Sequence, residues 1–462
     1  MGSFYRLGAG LWVLLGALLL LSAALYNGYP LVTSDTGAYI DSGMRLVVPI
    51  DRPISYGLFL RLVSFKHSLW FVVVAQSLLL AALLFRYISV FAPRVTAYPL
   101  RLALVGGVTW ATGLAWFSGQ LMPDIFTSIG VLALALICLA PLQLAEKLAW
   151  SVVVMLSALM HSSNLLTFTL LVLLTGAVAW FTGALKTWLK PAGIGVALAA
   201  VLLSWVILPG LHAACGGDFA INRGAPVFLM GKLVETGLLD RYLDEHCGEE
   251  NLALCQYRGK LPDNAVSFVW GEPNIPNQMG GWETSREEYK RIINGVLTTP
   301  RYYPLLLEEG VLGTVRQLTH VGHGDGLTPF LDGSNPFWKV QAFFGYELKE
   351  YTSSLQNRGA LNFKELTERS YNTLALTLLA ALLLLLAPLR QAVPPVLWMT
   401  VVLVALAVVL NAAVTANLAN VLDRLQTRMA WLLPWTVLLV WLQAWPQLRP
   451  QLQAWLTARF AS

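Results

Sequence analysis

The sequence predicts an all-α, polytopic membrane protein: a bundle of about ten transmembrane helices with a mainly helical extracytoplasmic domain between the seventh and eighth. Three observations predict it. Hydrophobic residues make up 56% of the 462 residues and charged residues only 12%, about half the charged fraction of a soluble domain. Apolar runs long enough to cross a bilayer recur along the chain, and mean hydropathy is +0.61. The acids are also concentrated. Outside the polar stretch Leu211 to Arg369 only six carboxylates remain: Asp35, Asp41, Asp51, Asp124, Glu146 and Asp423.

Taken in order, the apolar runs are Leu7–Tyr26, Leu69–Phe91, Leu100–Phe117, Met122–Leu142, Leu148–Met160, Leu165–Phe181, Ile194–Leu211, Thr373–Leu389, Val393–Ala416 and Met429–Trp445. The fifth is short; Leu144 and Ala145 complete it if Glu146 and Lys147 snorkel at its end. Orientation follows from the short loops. With the N-terminus inside, the inner segments hold Arg6, Arg86, Arg94, Arg101, Lys147, Lys186, Lys190, Arg390, Arg449 and Arg459. The short outer loops hold only Arg45, Arg52, Arg61, Lys66, Arg424 and Arg428. An excess of inner positive charge puts both termini in the cytoplasm. Five of the six carboxylates then fall on the outer side, Glu146 being the exception. The net charge of +5 reflects this inner-loop bias, and nothing in it points to nucleic acid.

Residues 1–211 thus form an N-terminal transmembrane module of about seven spans, 212–369 an extracytoplasmic domain, and 370–462 a C-terminal module of about three. Within the outer domain, Val227–His246 has apolar residues at helical spacing. Ser285 and Glu288 have the spacing of a capping box opening a helix over Tyr289–Val296. Leu261–Trp282 reads as irregular loop, and Tyr303–Thr319 as a third helical stretch. Cys247 and Cys255 lie close together in this domain, and an exterior compartment makes a disulfide between them plausible; metal binding by the pair is the weaker reading. Cys138 is inside a span and Cys215 is left unpaired.

The first outer loop, 27–67, is too long for a tight connection and carries SDTGAYIDSG at 34–43 and DRPISYG at 51–57. Long ordered loops are uncommon unless functional. Asp35 here, and Asp124 at the start of the fourth span, could act as general base on an acceptor, orient it, or share a metal. Capping a helix start is the alternative for each, with function the preferred reading for Asp35. Asp41 and Asp51 read as partners of Arg45 and Arg52. His161 heads the turn HSSN at 161–164 and could bind a phosphate or sugar, or simply end a hairpin. Arg52 and Tyr56 in the first loop, with Arg424 and Arg428 before the last span, suit a lipid-linked phosphate through the guanidinium fork. Anchoring to anionic headgroups is the alternative. His320, His323 and Asp325 in HVGHGDG (320–326) are weak metal candidates, because the spacing matches no strong metal signature. No P-loop, G-x-S-x-G or G-x-G-x-x-G is present, so nucleotide-binding and serine-hydrolase chemistry have no support.

This layout resembles the glycosyltransferase C superfamily, particularly its protein O-mannosyltransferase and aminoarabinose-transferase branch. Asp35 falls where those enzymes carry a catalytic acid in the first outer loop, and Asp124 where they carry a second acid near the fourth span. The stretch 212–369 occupies the place of their outer domain, and HSSN that of a polar or basic residue at a hairpin turn. DRLQTRMAWLLPW (423–435) is similar to the arginine-bearing segment leading into a late span. The chain departs from that pattern in having a lone Asp35 where many members have adjacent acids, and in having fewer spans. The resemblance implies sugar transfer from a polyprenyl-phosphate-linked donor to an envelope glycan, lipid or protein at the outer face of a bacterial inner membrane. A divalent metal is the one cofactor it suggests. Two rival functions remain: another envelope-polysaccharide enzyme, a polymerase or ligase, working from arginines and histidine of its outer loop; or a non-catalytic transporter or assembly factor.

Overall fold

The computed structural model describes residues 2–183 and 191–460. Lys186 and Lys190 of the inner-charge count lie outside them. The described residues are all-α, with one isolated parallel bridge between Leu31 and Gln120. Five helices are long and apolar enough to cross a membrane: Trp70–Phe91, Ser162–Phe181, Pro191–Ala214, Pro395–Leu418 and Asp423–Gln447. Their length and composition suit a multi-pass membrane protein.

The other apolar runs are helical too, but shorter, broken or more polar. The first divides into Gly2–Leu20 and Ser22–Asn27, and the third breaks at Thr112–Gly113 between Tyr98–Ala111 and Leu114–Ser118. Leu144–Met160 includes Glu146 and Lys147 as expected, yet they do not both snorkel. Glu146 accepts from Arg86 Nε at 2.7 Å, while Lys147 is buried, its ammonium close to Gly193. Helix Asp124–Leu139 is apolar all round beyond its first turns and buried at every residue. A helix without a polar face has no solvent side to offer, and this one stands at the centre of the bundle. At 16 residues it is about 24 Å long, less than a hydrocarbon core.

The first loop folds into two helices, Thr36–Arg45 and Ser55–Ser64, packed tightly across each other. They meet at Gly43 and Gly57; a Cβ on Gly43 would come within 2.1 Å of the Gly57 carbonyl oxygen. The bridge ties the loop to the segment leading into the central helix, where Leu31 N–H donates to Gly119 O and Leu121 N–H to Leu31 O, both at 2.9 Å.

The stretch 212–369 contributes to two cores. Residues Val227 to Tyr302 enclose a hydrophobic cluster of their own, including Met230, Leu239, Phe268, Tyr289 and Ile292. Val340, Phe344 and Tyr351, by contrast, belong to the main core of the bundle. Helix Asn335–Phe343 lies directly on Thr36–Arg45. Buried Glu347 fixes this second part: it accepts from the Tyr29 hydroxyl at 2.7 Å, the Ser68 hydroxyl at 2.6 Å and Leu69 N–H at 3.2 Å.

Within the outer cluster three local expectations change. The run Val227–His246 is two helices, Ala225–Glu235 and Leu238–His246, because Gly237 turns the chain at φ +69°. Ser285 does not open a capping box. Its helix already begins at Trp282, the Ser285 hydroxyl bonds back to Gly281 O at 3.0 Å, and Glu288 instead accepts from Ala253 and Leu254 N–H, both at 2.9 Å. The loop 261–282 contains two short helices, Ala265–Trp270 and Ile275–Gln278, each capped by an asparagine side chain. Cys247 and Cys255 are joined in a disulfide, with Cα atoms 5.7 Å apart.

Candidate functional site

Asp35 immediately precedes helix Thr36–Arg45, where a capping carboxylate would turn back onto the first turn of the helix. It does not do so: no side-chain capping bond is made. The carboxylate points outward and is held between two guanidiniums. Arg52 Nη1 lies 3.1 Å from Oδ1 and Arg424 Nη2 lies 3.0 Å from Oδ2. Arg52 is positioned in turn by Asp51, whose Oδ2 accepts from Nε at 3.0 Å, and by the Tyr39 ring, whose centroid is 5.2 Å from the guanidinium carbon. The Arg52, Asp35 and Arg424 side chains remain 13%, 22% and 23% exposed. They form a cluster that is desolvated yet still accessible. Burial raises the Asp35 pKa, but the charges of Arg52 and Arg424 outweigh it and leave the carboxyl at about 2.

Asp124 is the first residue of the buried helix, one past its N-cap Pro123. Its Oδ1 accepts from Arg428 Nη1 at 2.8 Å, and the two side chains are 4% and 0% exposed. Arg428 Nη2 reaches Asn411 Oδ1 at 3.0 Å and the Ser163 hydroxyl at 3.4 Å, while Nε has no partner. Arg424 and Arg428 are four residues apart on one helix, so they share a face. One arginine engages the accessible acid and the other the enclosed one. His161 closes the constellation from the side. Its Nδ1 accepts from Ser163 N–H at 3.3 Å, so its proton sits on Nε2. Burial, then the charge of Arg428, pushes its pKa down to about 3, so the ring is neutral.

Tyr56 lies below this layer. It is fully buried, donates to Gln76 Oε1 at 2.7 Å, and packs edge-on against Tyr39 with ring centroids 5.0 Å apart. Its contribution is to fix Tyr39 beneath Arg52. The segment 320–326 does not bring His320, His323 and Asp325 to a common point. His320 bonds to Arg316 O at 2.7 Å and His323 Nε2 to Ser370 Oγ at 2.7 Å, while Asp325 accepts from Arg424 N–H at 3.2 Å. Among the described residues no three His, Cys, Asp or Glu side chains converge as metal ligands. Around Asp35 a divalent cation would sit beside two guanidiniums; the nearby Asp51 and Asp124 are paired with arginine side chains, and Asp325 accepts from the Arg424 main-chain N–H. The donor set does not fit a metal. The segment instead fastens onto the last helix, with Gly322 N–H donating to Asp423 Oδ1 at 3.1 Å and the Thr427 hydroxyl to Gly322 O at 3.0 Å.

Asp35, Arg52, Asp124, His161, Arg424 and Arg428 therefore stand together at one end of the bundle. The Arg86–Glu146 pair and the contact of Arg94 with Gln443 mark the other end. Sequence reasoning missed Asn411, which lies inside an apolar span, and Ser163; a polar residue in such a span was the available signal for Asn411. No family model matches this chain, and comparison with curated proteins and with solved structures finds no match either.

Proposed function

We propose that this chain is a membrane glycosyltransferase-like enzyme that moves a sugar from a polyprenyl-phosphate-linked donor to an envelope acceptor, with its site and the polar stretch 212–369 at the outer face. The observation that carries the reading is the Asp35 carboxylate held between Arg52 and Arg424 at the end of an apolar bundle. Guanidinium forks match phosphate oxygens in charge and geometry, which supports a lipid-linked phosphate as their partner.

In the resting arrangement Asp35 is too weak a base for proton transfer, since two cations hold its pKa at about 2. An incoming donor phosphate competes for the same guanidiniums. As Arg424 turns to the phosphate, Asp35 loses a neutralising partner and its proton affinity rises. It can then take the proton of an acceptor hydroxyl. The acceptor oxygen bonds to the anomeric carbon while the bond from that carbon to the phosphate oxygen breaks. The phosphate leaves with the electron pair, held by arginine, and the anomeric centre inverts. Donor binding and base strength are coupled through shared arginines. Asp124 and Arg428 form the enclosed floor, and His161 presents a neutral N–H.

Binding of polyprenyl phosphate to the purified full chain tests the reading, read as a ligand-induced rise in thermal stability. Wild type should be stabilised and Arg424→Ala should respond only at higher ligand concentration. Equal responses from both proteins, or none from wild type, would remove the phosphate-binding role and the mechanism with it.

A further inference from the structure

Helix Tyr303–Thr319 belongs to the polar stretch, yet apart from exposed Glu308, Arg316 and Thr319 the side chains on its outward face are apolar, the reverse of a helix in water. Toward the protein it presents Gly310, Gly313, Thr314 and Gln317, packed along the outer end of the spanning helix Pro395–Leu418. Asn417 Nδ2 donates to Gly310 O and to Thr314 Oγ1, both at 3.3 Å. Gln317 exchanges a pair of bonds with the Leu422 backbone, at 2.8 and 3.0 Å. Away from the protein it presents a stripe at helical spacing: Tyr303, Leu307, Val311 and Val315, with Leu312 beside them, the middle two 70% and 63% exposed. Leu297 extends the patch, since the Tyr303 hydroxyl reaches its carbonyl at 3.1 Å.

In water, large apolar side chains turn inward and polar ones outward. Small residues and interhelical hydrogen bonds on the inner face, with bulky apolar groups on the outer, are how helices pack in lipid. The contact with Pro395–Leu418 makes the stripe continuous with a membrane-spanning surface, on which Val409 and Leu418 are also exposed. We infer that Tyr303–Thr319 is bedded in the leaflet on the site's side of the membrane, with its stripe against acyl chains. The inference does not depend on the enzymatic reading. It does bear on access to the site, because this helix runs directly into the segment 320–326 that grips Asp423 and Arg424.

The test places single spin labels on the full chain in lipid nanodiscs. Cys215→Ser removes the partly exposed free thiol, and Cys138 is buried. Labels at Leu307→Cys and at Val311→Cys are compared with one at Glu287→Cys, a site 78% exposed on helix Trp282–Thr298. For both stripe positions, collision with dissolved oxygen should exceed collision with a water-soluble nickel chelate, and the ratio should invert at Glu287. Nickel dominating at the stripe would put it in water. Neither collider reaching it would mean a protein surface covers it. Either result overturns the inference, and two independent stripe positions guard against one that perturbs folding.

Discussion

Arg424 and Arg428, one helical turn apart, divide two carboxylates between them: Asp35 at 3.0 Å, where a ligand can reach it, and Asp124 at 2.8 Å, where none can. The same residue types therefore do different work. The first pair remains partly exposed, as the proposed exchange with a phosphate requires, whereas the second is buried and held by Asn411.

On the proposed mechanism, replacing Asp35 with Asn should abolish transfer while the protein still inserts and folds. Asp35 makes no capping bond, so the helix start loses little. A lost general base lowers rate by roughly 10²–10⁴. The measurement is the envelope glycan and lipid profile of the variant strain beside the deletion strain. A wild-type profile for Asp35→Asn, when the deletion strain differs, would reduce Asp35 to a structural anchor.

Asp124 and Arg428 should behave as a structural pair. Removing either partner strands a buried charge and should destabilise by about 3–5 kcal/mol, whereas replacing both with residues of similar shape should recover much of that loss. Thermal unfolding of Asp124→Asn, Arg428→Met and the double variant measures the coupling. Additive losses would show that the two side chains do not support one another.

The ionisation of Asp35 sets a pH window. Its folded pKa of about 2 lies below the ordinary 3.8, so its pairing contributes fully above the ordinary value and is lost as pH falls through about 2. Infrared difference titration against Asp35→Asn should therefore find the carboxylate still ionised near pH 3, roughly one unit below its usual range. Arg424→Ala should move the transition upward, since it removes one of the two cations. Protonation of the wild-type group at its ordinary value would refute the two-arginine clamp.

The disulfide between Cys247 and Cys255 closes a short loop, with a sequence separation of 8. By loop-closure entropy it should stabilise by about 2–3 kcal/mol. Cys247→Ser with Cys255→Ser should raise proteolytic cleavage within Val227–Tyr302 and leave polyprenyl-phosphate binding unchanged, because that segment has its own core. Weakened binding in the double variant would show that the outer cluster shapes the site.

The legible part of the site lay in its charges. In a chain so poor in ionisable groups outside 211–369, each of Asp35, Asp124, Arg424 and Arg428 stood out against hydrocarbon, and all four converge. Apolar periodicity likewise marked the helices, though it could not say that Asp124–Leu139 is wholly enclosed; that depends on neighbours on every side. Partner choice was not legible either. Nothing in the spacing assigns Arg428 to Asp124 and Arg424 to Asp35, since that follows from one helix's rotation. Tyr56 looked like a headgroup residue because loop position says nothing about depth. The arrangement of Tyr303–Thr319 was hidden because its composition is compatible with either solvent.

The ion pair between Asp35 and Arg424 also dictates an order of birth. Chains emerge from the N-terminus and their domains fold in that sequence, and these partners are 389 residues apart. Glu347, which fastens Tyr29, is made 318 residues after it. The first loop must therefore wait, its Asp35 still without the Arg424 partner, while nearly all the remaining protein is synthesised. Insertion of the last helix completes the clamp. A chain truncated before Asp423 could keep most of its long apolar helices and still never close the clamp on Asp35.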